Sequence, residues 1–69
     1  MVSYAPLWRT MDKRGATTYT LQAKGNISSY TIRRLKAGES VSTNTLEALS
    51  RLLDCKIQDI IEFIPDEPG

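Results

Sequence analysis

The sequence predicts an all-α fold, a compact arrangement of five short helices, and three observations carry that prediction. Apolar residues recur at helical rather than strand spacing in five segments. Four of those segments open after a serine or threonine, the residue types that best cap a helix start. Among 69 residues there is one cysteine and no histidine, so neither an internal disulfide nor a zinc site is expected to replace an apolar core. A chain this short forms one domain with little surface to bury, and compact helical packing is the remaining route to stability.

The first segment is expected from about Tyr4 to Arg14. Ser3 can cap it, Pro6 falls in the first turn where its missing N–H is harmless, and Leu7, Trp8 and Met11 form its apolar stripe. Gly15 ends it. The second is short, from Thr18 to Lys24, with Thr17 as cap and Leu21 as core residue; Gly25-Asn26 closes it with residue types that tolerate positive φ. The third runs from Ser29 to Ala37, with Ser28 as cap, Gly38 as stop, and Ile32 and Leu35 facing inward behind Ile27. The fourth spans about Thr43 to Asp54 after Ser42. Its Leu46, Leu49, Leu52 and Leu53 give the strongest amphipathic pattern in the chain. The fifth is expected over about Ile57 to Phe63, with Ile57, Ile60, Ile61 and Ile64 on one side and Pro65 as terminator. The domain is therefore placed at residues 1–64, and 65–69 read as a short disordered tail.

A net charge of +1 conceals a strong asymmetry. Up to Gly38 there are seven basic residues against Asp12 alone, a net +6; from Glu39 onward there are two basic residues against seven acids, a net −5. The first half thus attracts polyanions and the second repels them. Met1 to Leu7 lacks the basic head and apolar run of a signal peptide, and no stretch has the ~18 apolar residues needed to span a bilayer. With a lone thiol, Cys55, which is expected to pack as a small hydrophobe, a cytoplasmic protein without a membrane role is expected.

Two short helices joined by a tight turn make a helix-turn-helix, and Thr17 to Gly38 has that form. In the turn, Asn26 can adopt the left-handed conformation, Ile27 plugs the corner, and Ser28 caps the next helix. On the third helix, at roughly 100° per residue, Tyr30 and Ala37 lie about 170° from the buried direction. Arg33 and Arg34 lie about 130° from it on either side, and Ser29 about 90°. A tyrosine placed outermost between two arginines suits duplex DNA. Arginine can bond guanine O6 and N7 in a bidentate pair, tyrosine can bond phosphate or pack on a thymine methyl, and serine can bond either. The openings of the second helix, Thr17-Thr18, and of the fourth, Ser42-Thr43-Asn44, offer small hydroxyl and amide groups for phosphate.

With these residues, the span from Tyr4 to Phe63 resembles the Cro and phage-repressor type of helix-turn-helix domain, the five-helix lambda-repressor-like fold. It is similar to a subgroup of small stand-alone bacterial regulators that begin near YAPLW, carry a VSTNTLEAL-like fourth helix and end near LDCKIQDIIEFIPDE. The resemblance implies that the second helix sits over the DNA backbone and the third enters the major groove. It implies base reading at Ser29, Tyr30, Arg33 and Arg34, with Lys36 near the backbone and phosphate contacts from Ser42 to Asn44. The DNA-facing set is then Thr17, Thr18, Ser28, Ser29, Tyr30, Thr31, Arg33, Arg34, Lys36, Ser42, Thr43 and Asn44. Two positions depart from the pattern. Gln22 stands where the crossing helices usually have a small residue, so either the crossing widens or Gln22 turns outward. Asn26 stands where the turn usually has glycine.

The expected function is a sequence-specific double-stranded DNA-binding transcriptional regulator, a repressor, with pairing into a homodimer through the apolar IIEFIP end as one reading and simple core cover as the other. The alternative is a protein-interaction or antitoxin-like module whose basic face docks an acidic protein and which lacks salt-steep DNA binding of its own. No enzyme is expected, since histidine is absent and no carboxylate pair stands at a spacing that forms a cleft. No cofactor, metal or small-molecule ligand is expected either.

Overall fold

A computed structural model of the protein describes residues 1–65. Four α-helices follow one another: α1 at Ala5–Arg14, α2 at Thr18–Ala23, α3 at Ser29–Ala37 and α4 at Thr43–Leu53. Strand β1, Val2–Ser3, precedes them, and a single 3-10 turn at Ile57–Asp59 and strand β2, Glu62–Phe63, follow. The strands pair antiparallel, Val2 opposite Phe63 and Ser3 opposite Glu62. The expected tail, apart from Pro65, lies outside the described residues.

The helix starts are made as their sequences direct. Thr17 and Thr20 form a reciprocal box, each hydroxyl accepting the other's backbone N–H. Ser28 Oγ accepts the Thr31 N–H at 3.1 Å, and Ser42 Oγ accepts the Thr45 N–H at 3.2 Å. Each cap contributes about 1 kcal/mol. At α1 the oxygen comes from Ser3, which accepts the Ala5 N–H at 3.2 Å. Gly38 ends α3 at φ 75°, a left-handed conformation that costs glycine nothing.

The core is Tyr4, Leu7, Met11, Leu21, Ile27, Ile32, Leu35, Leu49, Leu53 and Ile60, all buried. Trp8, Leu46, Leu52 and Ile61 pack half-buried around it. Tyr4, which the apolar pattern alone does not single out, sits inside because its hydroxyl has a partner: it donates to the Glu39 carbonyl oxygen at 2.8 Å. Burial raises its pKa. Cys55 is half-buried, and burial, reinforced by the Asp59 carboxylate, raises its pKa too, which keeps the thiol protonated.

The expected fifth helix does not form, so the count is four rather than five. After the 3-10 turn, the chain extends and Glu62–Phe63 pairs with the N-terminal strand. Thr10 Oγ1 donates to the Asp59 carbonyl oxygen at 2.7 Å, capturing a group that a continuing helix would use internally. The run from Ile60 to Ile64, β-branched or aromatic at every position but Glu62, suits a strand as well as a helix. The N-terminal residues supply the partner: the Ile64 N–H donates to the Met1 carbonyl oxygen at 2.8 Å. Ile60 is fully buried, whereas Ile57, Phe63 and Ile64 are exposed.

In the turn between α2 and α3, Gly25 permits a close approach. A Cβ there would stand 2.8 Å from the Leu21 carbonyl oxygen and 2.8 Å from Leu52 Cδ2. Gly25→Ala is therefore expected to lower stability by about 1–3 kcal/mol, because backbone must shift to admit the methyl. Urea denaturation checks this, and an unchanged midpoint would contradict it.

Candidate nucleic-acid interface

The turn that joins α2 to α3 sets the site. Asn26 has φ 53°, the left-handed conformation, and Ile27 is buried with its N–H donating to the Leu21 carbonyl oxygen at 3.1 Å. The corner is thereby fixed from both the backbone and the side chain. α3 buries Ile32 and Leu35 and leaves Ser29, Tyr30, Arg33, Lys36 and Ala37 exposed. Tyr30 is 63% exposed, as expected of a residue opposite the core.

Two shallow grooves flank α3, and its two arginines lie in different ones. The groove between α2 and α3 is lined by Thr18, Gln22, Ser29, Ile32, Arg33 and Lys36. The groove between α3 and the start of α4 is lined by Tyr30, Thr31, Arg34, Ser42 and Thr45, together with the connecting Ser40 and Val41. Asn44 lines a third depression, with Ser28 and Thr31, beside the turn. Of the expected residues, Thr18, Ser29, Arg33 and Lys36 thus share the α2 side of α3, and Tyr30, Thr31, Arg34 and Ser42 its α4 side, whereas Thr17 is exposed and lines neither groove. Thr43 is exposed and lines none of these grooves.

The arginines differ in their attachments. Arg34 Nε donates to the Ser40 carbonyl oxygen at 2.9 Å, and its NH1 lies 3.2 Å from the Glu39 carboxylate and 3.3 Å from the Tyr30 hydroxyl. Its guanidinium also stands 5.7 Å from the Tyr30 ring centroid. It ties α3 to the segment that leads into α4 and steadies Tyr30. Arg33 is exposed and makes no hydrogen bond or ion pair among the described residues, so its guanidinium donors are not committed within them. Thr17, Ser28 and Ser42 spend one hydroxyl lone pair each on a cap.

One feature of this surface is not evident from sequence spacing, and another, which spacing does imply, lies outside the expected set. The Glu39–Ser40 anchor for Arg34 depends on how the chain turns after Gly38. Tyr19, 75% exposed on α2, is a second outward aromatic, and the pattern that identified Leu21 as inward also implies it. Gln22, the residue at the helix crossing, turns outward and is exposed. No group of acidic, cysteine or histidine residues among the described ones could hold a metal ion, and no described helix is long and apolar enough to cross a membrane.

The family model for the Cro/C1-type helix-turn-helix DNA-binding domain matches residues 6–66. The chain belongs to that family. Its helix-turn-helix is the α2-turn-α3 unit described above, and the match extends through the C-terminal strand. Among solved structures, this Cro/C1-type chain is similar to that of the transcriptional regulator VanUg, with 34% identity and a TM-score of 0.87 over 94% of this chain and 87% of that one. No curated protein matches it.

Proposed function

We propose that the protein is a sequence-specific transcriptional regulator, not an enzyme, which sets α3 into the major groove of duplex DNA and acts as a repressor. The observation that carries this reading is the outward face of α3, where Tyr30 and Arg33, which has no partner among the described residues, stand beside polar helix openings on a half of the chain with net charge +6. Membership of a DNA-binding family and likeness to a transcriptional regulator support it. Repression is the mode proposed because a domain seated on its operator excludes other proteins by occupying the site.

In this docking Arg33 and Tyr30 read base edges, with Ser29 beside them. Lys36, Thr18, Thr43 and Asn44 hold phosphates, and Thr17, Ser28, Thr31 and Ser42 present the helix starts that bear on them. Arg34 acts by holding Tyr30 and the α3–α4 segment. Its ion pair with Glu39 is surface-lying and contributes at most about 1 kcal/mol, so it can re-form toward phosphate.

A single module this small has few base contacts and would bind weakly alone. We place a homodimer contact at the strand pair, where Phe63 is 79% exposed beside exposed Met1 and Ile64. A two-fold dimer reads two half-sites about one helical turn apart.

Selection from random duplex DNA at two salt concentrations tests the whole reading. The expected result is an enriched two-fold-symmetric motif, with affinity falling roughly 10- to 100-fold between 50 and 200 mM salt. Weak, sequence-independent binding would overturn the reading. A motif with a single unrepeated half-site would overturn the dimer alone.

A further inference from the structure

The residue at the helix crossing does more than fit there. Gln22 lies in the groove between α2 and α3, which measures ≈ 220 Å³ and is floored by Ile32. On α2 it stands four residues after Thr18, so both line the same wall. Ser29, Arg33 and Lys36 form the opposite wall. Gln22 is exposed and makes no hydrogen bond among the described residues. Its amide therefore presents a free carbonyl acceptor and a free N–H₂ donor beside the free guanidinium of Arg33.

From this geometry we infer that Gln22 is a specificity-determining residue, reading an adenine next to the base pair that Arg33 reads. Glutamine and arginine are among the side chains whose paired groups match single bases in the major groove. The amide matches adenine N6 and N7, and the guanidinium matches guanine O6 and N7. Two such side chains on facing walls of one groove address neighbouring base pairs. The reading face then spans two helices, with Tyr30 on the α4 side and Gln22 on the α2 side of Arg33. A small residue at this crossing would leave the α2 wall without a base-reading group.

The inference rests on the docking proposed above, and one experiment separates the two. The full chain and its Gln22→Ala and Gln22→Glu variants are put through the same random-duplex selection, with helical circular dichroism and thermal midpoints recorded in parallel. The side chain is exposed, so both variants are expected to fold with unchanged midpoints. Gln22→Ala is expected to lose an adenine preference at one position of each half-site and to bind the original motif roughly 5- to 100-fold more weakly. Gln22→Glu keeps the shape but only accepts, and is expected to shift that position toward cytosine, whose N4 amine donates. Preferences elsewhere in the motif should stay. A motif unchanged in both variants, or a loss spread evenly over all positions, overturns the inference and leaves the regulator reading intact. No motif for the unaltered chain overturns both.

Discussion

Replacing Leu49 by alanine is expected to cost about 2–5 kcal/mol of stability, the range for emptying a fully buried leucine site. Leu49 is 0% exposed and sits on α4 in the cluster that joins residues from α1, α2, α3 and the segment after the 3-10 turn. No neighbouring side chain can fill the space without leaving its own packing. Total stabilities of ordinary domains run to about 5–15 kcal/mol, and a chain of this size buries comparatively little surface, so the loss takes a large share. At about 4–8 °C per kcal/mol for a domain of this length, the midpoint should fall by roughly 8–40 °C. Leu46→Ala is the control. Leu46 shares the apolar stripe but is half-buried, so its loss should be clearly smaller. Thermal denaturation of both variants decides the matter, and equal losses would show that the core is not centred on Leu49.

The largest effect expected on DNA binding comes from Arg33→Ala. An arginine without a partner among the described residues can give its full donor set to guanine, and its removal should cost ~1–3 kcal/mol and relax preference at one base position per half-site. Arg34→Ala should behave differently, although the two residues are adjacent and identical. Arg34 already donates to the Ser40 carbonyl and bears on Tyr30 and Glu39, so its loss frees Tyr30 and the segment into α4. The result expected is a weaker effect on base choice at the Arg33 position and a broader loss of affinity. Equilibrium binding to a panel of single-base variants of the selected motif distinguishes them. The same pattern of base dependence for both variants would mean that the internal attachments of Arg34 do not persist on DNA.

The helix-turn-helix was legible because its determinants are local. Thr17, Ser28 and Ser42 cap helices that begin at the next residue, and Gly38 ends α3 in the conformation that glycine favours. Asn26 takes the positive φ that its place in the turn requires. Most of the outward set on α3 followed from helical angle alone, and Tyr30 lies where that angle puts it, whereas Arg34 is half-buried against Glu39 and Ser40. Gln22 was legible only as a departure. A six-residue helix gives too little periodicity to say whether a long polar side chain widens the crossing or turns out of it.

The C-terminal segment shows the limit of local reading. Its isoleucines recur at a spacing that a helix could use, yet the chain makes a 3-10 turn and a strand there. The decision comes from residues about sixty positions away, where Val2 and Ser3 offer backbone groups to Phe63 and Glu62.

The sequence by itself determined the helices α1 to α4, the turn chemistry and the charged, aromatic face of α3. These depend on neighbours within one or two turns, whose capping and apolar periodicity are written consecutively. Only the tertiary structure decided the strand pair, the outward course of Gln22 and the unequal attachments of Arg33 and Arg34. Each of those is a choice between partners distant in sequence or in separate elements, and a backbone or guanidinium group takes whichever hydrogen-bonding partner the packed chain brings within reach.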